Sequence, residues 1–202
     1  MDIWEANAYA TALTPHTCNV TGLYECTGAE CTWNGVCDQW GCGWSPYGEG
    51  QKGFYGPGSG YTVDTNKPMT VVTQFPAFKN GTLQAINRLY VQGGKVIYSL
   101  PVNITGSPAY TGINADFCAP GASRYVPLGG MQEMGEALGR GMTLIFTIWW
   151  DTSGFMNWLD SGNAGPCSAT EGNPTVITTI EPNPSVTWSN VKWGDIGSTY
   201  AH

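Results

Sequence analysis

Ala85-Ile86-Asn87-Arg88-Leu89-Tyr90-Val91-Gln92, then Gly93-Gly94, then Lys95-Val96-Ile97-Tyr98-Ser99-Leu100, is two strand-like runs around a double glycine. Glycine supplies the positive φ that tight hairpin turns need, so residues 85–100 read as a β-hairpin. Working outward, Met69 to Phe75 is rich in β-branched residues and predicts another strand. Residues 141–150 form a nearly continuous apolar run and predict a central strand. Residues 185–193 alternate, with Val186, Trp188, Asn190 and Lys192 against Thr187, Ser189, Val191 and Trp193. That period of two predicts a half-buried strand. One short helix stands out over 130–138, with Met131, Met134 and Leu138 on one face and a glycine at its end. Such strands with a single helix predict an all-β, two-sheet sandwich. Residues 8–60 read as a loop region rich in glycine and aromatics, and no repeat or linker interrupts the chain.

At 202 residues the chain is long enough for one domain with a sizeable core. Gly 28 and Pro 13 punctuate many short segments, and nine Trp offset a charged content of only 11%. The net charge is −7 and there is no Lys/Arg cluster, so a nucleic-acid partner is not expected. An anionic membrane surface is disfavoured for the same reason. The longest apolar run, Met142 to Trp150, is too short to span a bilayer. A neutral polysaccharide is compatible with this charge, though the charge does not select it.

Seven cysteines stand at 18, 26, 31, 37, 42, 118 and 167. No C-x-x-C pair is present and the two His do not complete a zinc ligand set, so no metal site is expected. A disulfide framework in an oxidising compartment is the better reading, which implies secretion. Asn19, Asn80 and Asn103 open N-x-S/T sequons, whereas Asn183 is followed by proline.

Asp2 and Glu5 lie three apart in Met1-Asp2-Ile3-Trp4-Glu5-Ala6-Asn7. A regular strand would point them to opposite faces. They can share one cleft only if the strand carries a bulge, and bulges are common beside active sites. Two carboxyl groups facing one cleft are the usual equipment for cleaving glycosidic bonds. Taken alone, the pair reads as two unrelated acids on an edge strand, because such pairs are frequent by chance.

The wider chain resembles glycoside hydrolase family 7, the retaining cellulases. The matching blocks are residues 1–7, Leu13-Thr14-Pro15-His16, Phe54-Tyr55-Gly56-Pro57-Gly58 and Val71-Val72-Thr73-Gln74-Phe75. Met156-Asn157-Trp158-Leu159-Asp160 and Trp193-Gly194-Asp195-Ile196-Gly197-Ser198-Thr199 continue the series. They follow the family's order along nearly the whole chain. The resemblance implies a concanavalin-like β-jelly roll, here the C-terminal half of one catalytic domain, with no linker or cellulose-binding module. In the family's E-x-D-x-x-E run, Glu5 matches the acid/base and Asp2 the acid that orients the nucleophile. The nucleophile itself would stand immediately before Met1, so residues 1–202 by themselves are expected to be inactive. The block around His16 implies a hydrogen-bonding role beside Glu5. Trp149 and Trp158 match sugar-stacking platforms flanking the cleavage point. The implied disulfides are Cys18–Cys37, Cys26–Cys31 and Cys42–Cys118, leaving Cys167 for a partner in the N-terminal half.

Within the family, long loops cover the groove of processive members. Between Cys31 and Cys37 this chain has only Thr32-Trp33-Asn34-Gly35-Val36, and Trp40 and Gly43 stand where those members carry Asp. Residues 162–167 are short as well, and Asp151-Thr152-Ser153 lacks the tyrosines of tunnel-forming members. These departures resemble the endoglucanases. The expected activity is retaining hydrolysis of internal β-1,4 bonds in cellulose or a soluble β-glucan by a monomer without metal or organic cofactor. A cellobiohydrolase of the same family and a non-catalytic glucan-binding module are the alternatives.

Overall fold

The computed structural model describes residues 1–99, 112–121 and 124–200. The chain starts with an antiparallel hairpin, β1 (Asp2–Ala6) and β2 (Thr11–Thr14). Residue 44 bridges to the free edge of β2: Leu13 and Trp44 exchange two backbone hydrogen bonds of 3.0 Å. A short parallel pair follows, β3 (Tyr55–Gly56) and β4 (Val63–Asp64). The largest sheet holds β5 (Thr70–Gln74), β6 (Ala85–Gln92), β7 (Lys95–Tyr98) and β8 (Gly112–Asn114). Its central strand is β6, which pairs antiparallel with each of the other three. Gln92 faces Lys95 across the turn, and Gly93 and Gly94 have φ of 58° and 74°. Both values suit a two-residue hairpin turn that a residue with a Cβ would strain. The observed strand β7 ends at Tyr98, and Leu100 lies outside the described residues.

Among the described residues four α-helices accompany the sheets: α1 (Ala115–Cys118), α2 (Gly130–Arg140), α3 (Asn157–Asp160) and α4 (Pro174–Ile180). The expected helix is α2, two residues longer than its sequence pattern. Met131 and Met134 are buried and Leu138 packs on the same cluster. The other three are additional to the single helix expected. Two begin at an asparagine cap: Asn114 accepts from the Phe117 amide and Asn173 from the Thr175 amide.

The β1–β2 hairpin lies across one face of the β5–β8 sheet. Leu13 of β2 joins Trp44, Ile86, Ile113, Tyr125, Met131 and Met134 in one core. Trp4 and Ala6 of β1 pack on a second, formed by Phe54, Tyr55, Val63 and Tyr90. Polar bonds seal the same contact, for Tyr90 Oη lies 3.0 Å from Thr11 Oγ1. Strand β1 therefore rests on the central strand of the largest sheet.

Two expected strands are corrected. Residues 141–150 and 185–193 have no strand structure, and most of their large apolar side chains are exposed, with Ile145 at 72% and Trp193 at 90%. A strand exists through its ladder, and neither segment pairs with a strand among the described residues; Gly141 donates only to Leu138 O, closing α2. Hydrophobic patterning reports the burial a segment needs. Here that need is not met, and the side chains stay exposed. The two segments touch only through side chains, Phe146 against Trp188 at 4.9 Å between ring centroids.

Three disulfides join Cys18 to Cys37, Cys26 to Cys31 and Cys42 to Cys118. Asn19 and Asn80 are exposed, and Asn103 lies outside the described residues. The disulfides differ in sequence separation, 76 residues for Cys42–Cys118 against 5 for Cys26–Cys31. Loop-closure entropy makes the longer cross-link worth about 2 kcal/mol more. Denaturant unfolding of the two double Cys→Ala variants measures this. Equal losses would show that closure entropy does not govern either bond.

Candidate active site

Pairing within the first hairpin runs Asp2 to Thr14, then Glu5 to Ala12 and Ala6 to Thr11. Between Asp2 and Glu5, β1 has one residue more than β2, the signature of a β-bulge. The extra residue offsets the odd spacing of the two acids, so both can address one side of the hairpin. Asp2 is near enough for its charge to perturb the Glu5 carboxyl.

His16 follows β2 and is held at both ring nitrogens. Its Nε2 lies 2.8 Å from Asp2 Oδ2 and its Nδ1 2.9 Å from the Asp38 carbonyl oxygen. Both partners are acceptors, so both nitrogens donate and the ring is an imidazolium while Asp2 is ionised. Burial opposes that cation, but the hydrogen bonds to Asp2 and to the Asp38 carbonyl outweigh it and raise the pKa of His16. On Asp2 the hydrogen bond from His16 dominates over burial and holds the carboxyl below its ordinary range. Glu5 behaves oppositely. Burial first, and then the Asp2 charge, push its carboxyl up to about 7, with His16 partly offsetting them. One hairpin thus holds an ionised acid and a protonated acid side by side. The hydrogen bond expected from His16 falls on Asp2 rather than on Glu5, because the Asp38 carbonyl fixes the far side of the ring.

The loop that delivers this carbonyl is locked locally. Cys18–Cys37 joins its base, the Asp38 amide donates to Thr17 O at 2.8 Å, and the Cys42 amide to Pro15 O at 3.0 Å. Gly41 has φ of 67°, and a Cβ there would stand 2.4 Å from Thr14 Cγ2 and 2.8 Å from His16 Cε1. Glycine is required for the loop to approach His16 so closely. Sequence reasoning missed Asp38. Part of the signal was available in the disulfide, since pairing Cys18 with Cys37 antiparallel sets Thr17 opposite Asp38, next to His16.

Trp149 and Trp158 are brought together: their rings are 6.1 Å apart and 18° from parallel. Both are about half exposed. They form one offset-stacked aromatic surface rather than two separated platforms. Trp158 sits on α3, directly after Phe155 and Met156, two bulky residues with φ of 54° and 62°. Backbone of this kind costs about 1–3 kcal/mol per residue and persists only where its surroundings enforce it. Part of that enforcement is Asn7, whose side chain donates to Asp160 Oδ2 at 2.7 Å and ties the turn after β1 to α3. Neither Asn7 nor Asp160 was singled out from sequence. Cys167 is unpaired, and burial, with the charges of Asp160 and Glu171, pushes its thiol up to about 12. Trp33 and Trp40 make an exposed edge-to-face pair at 5.5 Å on the disulfide-stapled loops. Among the described residues no three His, Cys, Asp or Glu side chains converge as a metal site.

The profile of glycosyl hydrolase family 7 matches residues 1–200. The chain belongs to that family. A probable endo-β-1,4-glucanase, celB, of Aspergillus terreus is 57% identical over 203 residues, covering 99% of this chain and 48% of that protein. The endocellulase Cel7B of Humicola insolens superposes with a TM-score of 0.94 at 53% identity, over 99% of this chain and 50% of that one. A cellobiohydrolase from Melanocarpus albomyces, solved with cellotetraose, gives 0.88 at 31% identity over 100% of this chain and 51% of its own. The chain spans about half the length of the curated family 7 relatives it matches. Among these family 7 structures the endocellulase is the nearer in sequence and in backbone.

The opposed carboxyl shifts set the pH dependence of stability. Glu5 is raised above its ordinary 4.5, so the folded state keeps a proton that the unfolded chain releases. Stability therefore falls as pH rises from 4.5 through about 7. His16, also raised, adds to the loss as pH climbs through its folded pKa. Asp2 is lowered, so its contribution is lost only as pH falls below its ordinary 3.8. Glu5→Gln flattens the decline between 4.5 and 7 and leaves the acid limb in place. Unfolding free energies measured across that range decide it, and equal slopes for both chains would refute the shift.

Proposed function

We propose that these residues form the C-terminal half of the catalytic domain of a secreted endo-β-1,4-glucanase. It hydrolyses internal bonds of cellulose or a soluble β-glucan with retention of configuration. The observation that carries this reading is the Glu5 carboxyl, held protonated up to about 7 beside an ionised Asp2. An acid that must protonate a glycosidic oxygen needs that elevated pKa. Asp2 cannot serve as the donor, because His16 keeps it ionised. One Asp2 oxygen is engaged by His16, which leaves the other to orient a neighbouring nucleophile.

In the retaining sequence a carboxylate attacks the anomeric carbon while Glu5 protonates the departing oxygen. Glu5, now ionised, then takes a proton from water as that water displaces the glycosyl group from the nucleophile. In the family pattern the attacking carboxylate belongs to the same acidic run as Asp2 and Glu5. The stacked Trp149–Trp158 surface suits the flat C–H face of a pyranose ring. The short Cys31–Cys37 connection and the short 162–167 segment favour an open groove, which admits internal bonds. The hairpin layered on the β5–β8 sheet supports a jelly-roll sandwich. Three disulfides favour the extracellular space. The working unit is a monomer with glucan as its ligand and no cofactor.

In the enzyme that contains these residues, Glu5→Gln lowers kcat about 10²–10⁴-fold with little change in KM. The viscosity of a soluble cellulose falls early in the wild-type reaction, well ahead of disaccharide release. Undiminished kcat in the variant would remove Glu5 from the acid/base role. Viscosity that falls only in step with disaccharide would make the enzyme exo-acting.

A further inference from the structure

Arg88 is on β6, 1% exposed, and no carboxylate pairs with it among the described residues. Its Nη2 donates to the backbone carbonyl of Ile3, while its Nε and Nη1 are buried without a partner. A buried guanidinium is costly, and an apolar chain of similar length would fill the same volume at less cost. What the apolar chain could not do is satisfy the carbonyl of Ile3. Ile3 stands between Asp2 and Glu5, in the bulged segment where β1 carries its extra residue. A bulge takes a residue out of the ladder, and its backbone groups need partners from elsewhere.

The other residue between the two acids is held from the same side. Trp4 Nε1 donates to Thr11 Oγ1 at 2.8 Å, and that oxygen lies 3.0 Å from Tyr90 Oη. Arg88 and Tyr90 are two apart on β6 and so project from the same face of the sheet. Ile3 and Trp4, the whole interval between Asp2 and Glu5, are thus fastened to one face of the central strand. Without the Arg88 contact the hairpin can regain regular pairing by releasing the extra residue. A one-residue slip turns every later side chain to the other face.

We infer that Arg88 is a positioning residue: by holding the Ile3 carbonyl it keeps the extra residue in β1, and so keeps Asp2 and Glu5 on one side. This rests on the reading of Glu5 as the acid/base. Arg88 touches neither acid and acts only through the backbone of β1.

The test is the ¹³C-carboxyl titration of Glu5, read by NMR in the 202-residue chain and in Arg88→Met and Arg88→Lys. Near-UV circular dichroism reports whether each variant keeps its tertiary packing. In folded Arg88→Met the Glu5 midpoint drops by about one pH unit or more, as Asp2 and the burial of β1 are lost to it. Arg88→Lys keeps the charge but not the fork, and its midpoint drops as well. A variant that is merely less stable, with the Glu5 midpoint unchanged, overturns the inference. An ordinary Glu5 midpoint in the unaltered chain instead refutes the acid/base reading, and the two failures are distinct. Should neither variant fold, the unaltered chain still decides. A through-bond coupling between Arg88 Nη2 and the Ile3 carbonyl carbon supports the contact, and its absence overturns the inference.

Discussion

A strand turns successive side chains to opposite faces, and two acids three residues apart cannot serve one cleft unless that period is broken. In this chain it is broken once, by the extra residue between Asp2 and Glu5. The rest of the site depends on that break. Register on the far side of the bulge sets Asp2 opposite Thr14, two residues from His16, which is why the imidazole meets Asp2. Register on the near side sets Ala6 opposite Thr11, whose hydroxyl receives Trp4 and meets Tyr90. What lies beneath the bulge is β6, the central strand of the largest sheet, with Arg88 and Tyr90 buried. A softer support would let the ladder recover its regular pairing.

The site separates the proton affinities of two similar carboxyl groups by surroundings alone. Asp2 receives a charged donor, and Glu5 receives burial and a neighbouring anion. His16 enforces the division, since it has an acceptor at each nitrogen and must carry two protons. That arrangement costs the folded state stability near neutral pH, as sites that hold an acid protonated must. The loop that carries Asp38 is itself tied, by Cys18–Cys37 and the close packing at Gly41.

How far the sequence revealed this follows from how local each signal is. The hairpin over 85–98 was legible because the double glycine and the flanking runs are adjacent. Helix α2 was legible because its three apolar residues recur at helical spacing. The bulge was legible only as a condition, since the odd spacing of two acids requires one if both are to serve a single cleft. Helix α4 could have been read from Asn173-Pro174, a cap followed by proline at the first helical position. Helix α3 could not, since it starts after two left-handed residues that are not glycine. Residues 141–150 and 185–193 were misread because periodicity describes a segment and says nothing of its partner. Asp38, Asn7 and Arg88 act through a carbonyl contact or a long-range bond, and such roles leave no mark on residue type.

The aromatic contacts of β1 join these misread segments to the chemistry. Trp4 meets Trp188 edge-on at 5.3 Å, and Trp188 in turn meets Phe146. Residues 185–193 therefore form part of the cover over β1, although no backbone hydrogen bond among the described residues fixes them there. Burial is the largest cause of the raised Glu5 carboxyl. Trp4, which carries this cover, and Glu5 are neighbours on one strand, so the aromatic contacts of β1 and the burial that raises the acid belong to the same short stretch of backbone.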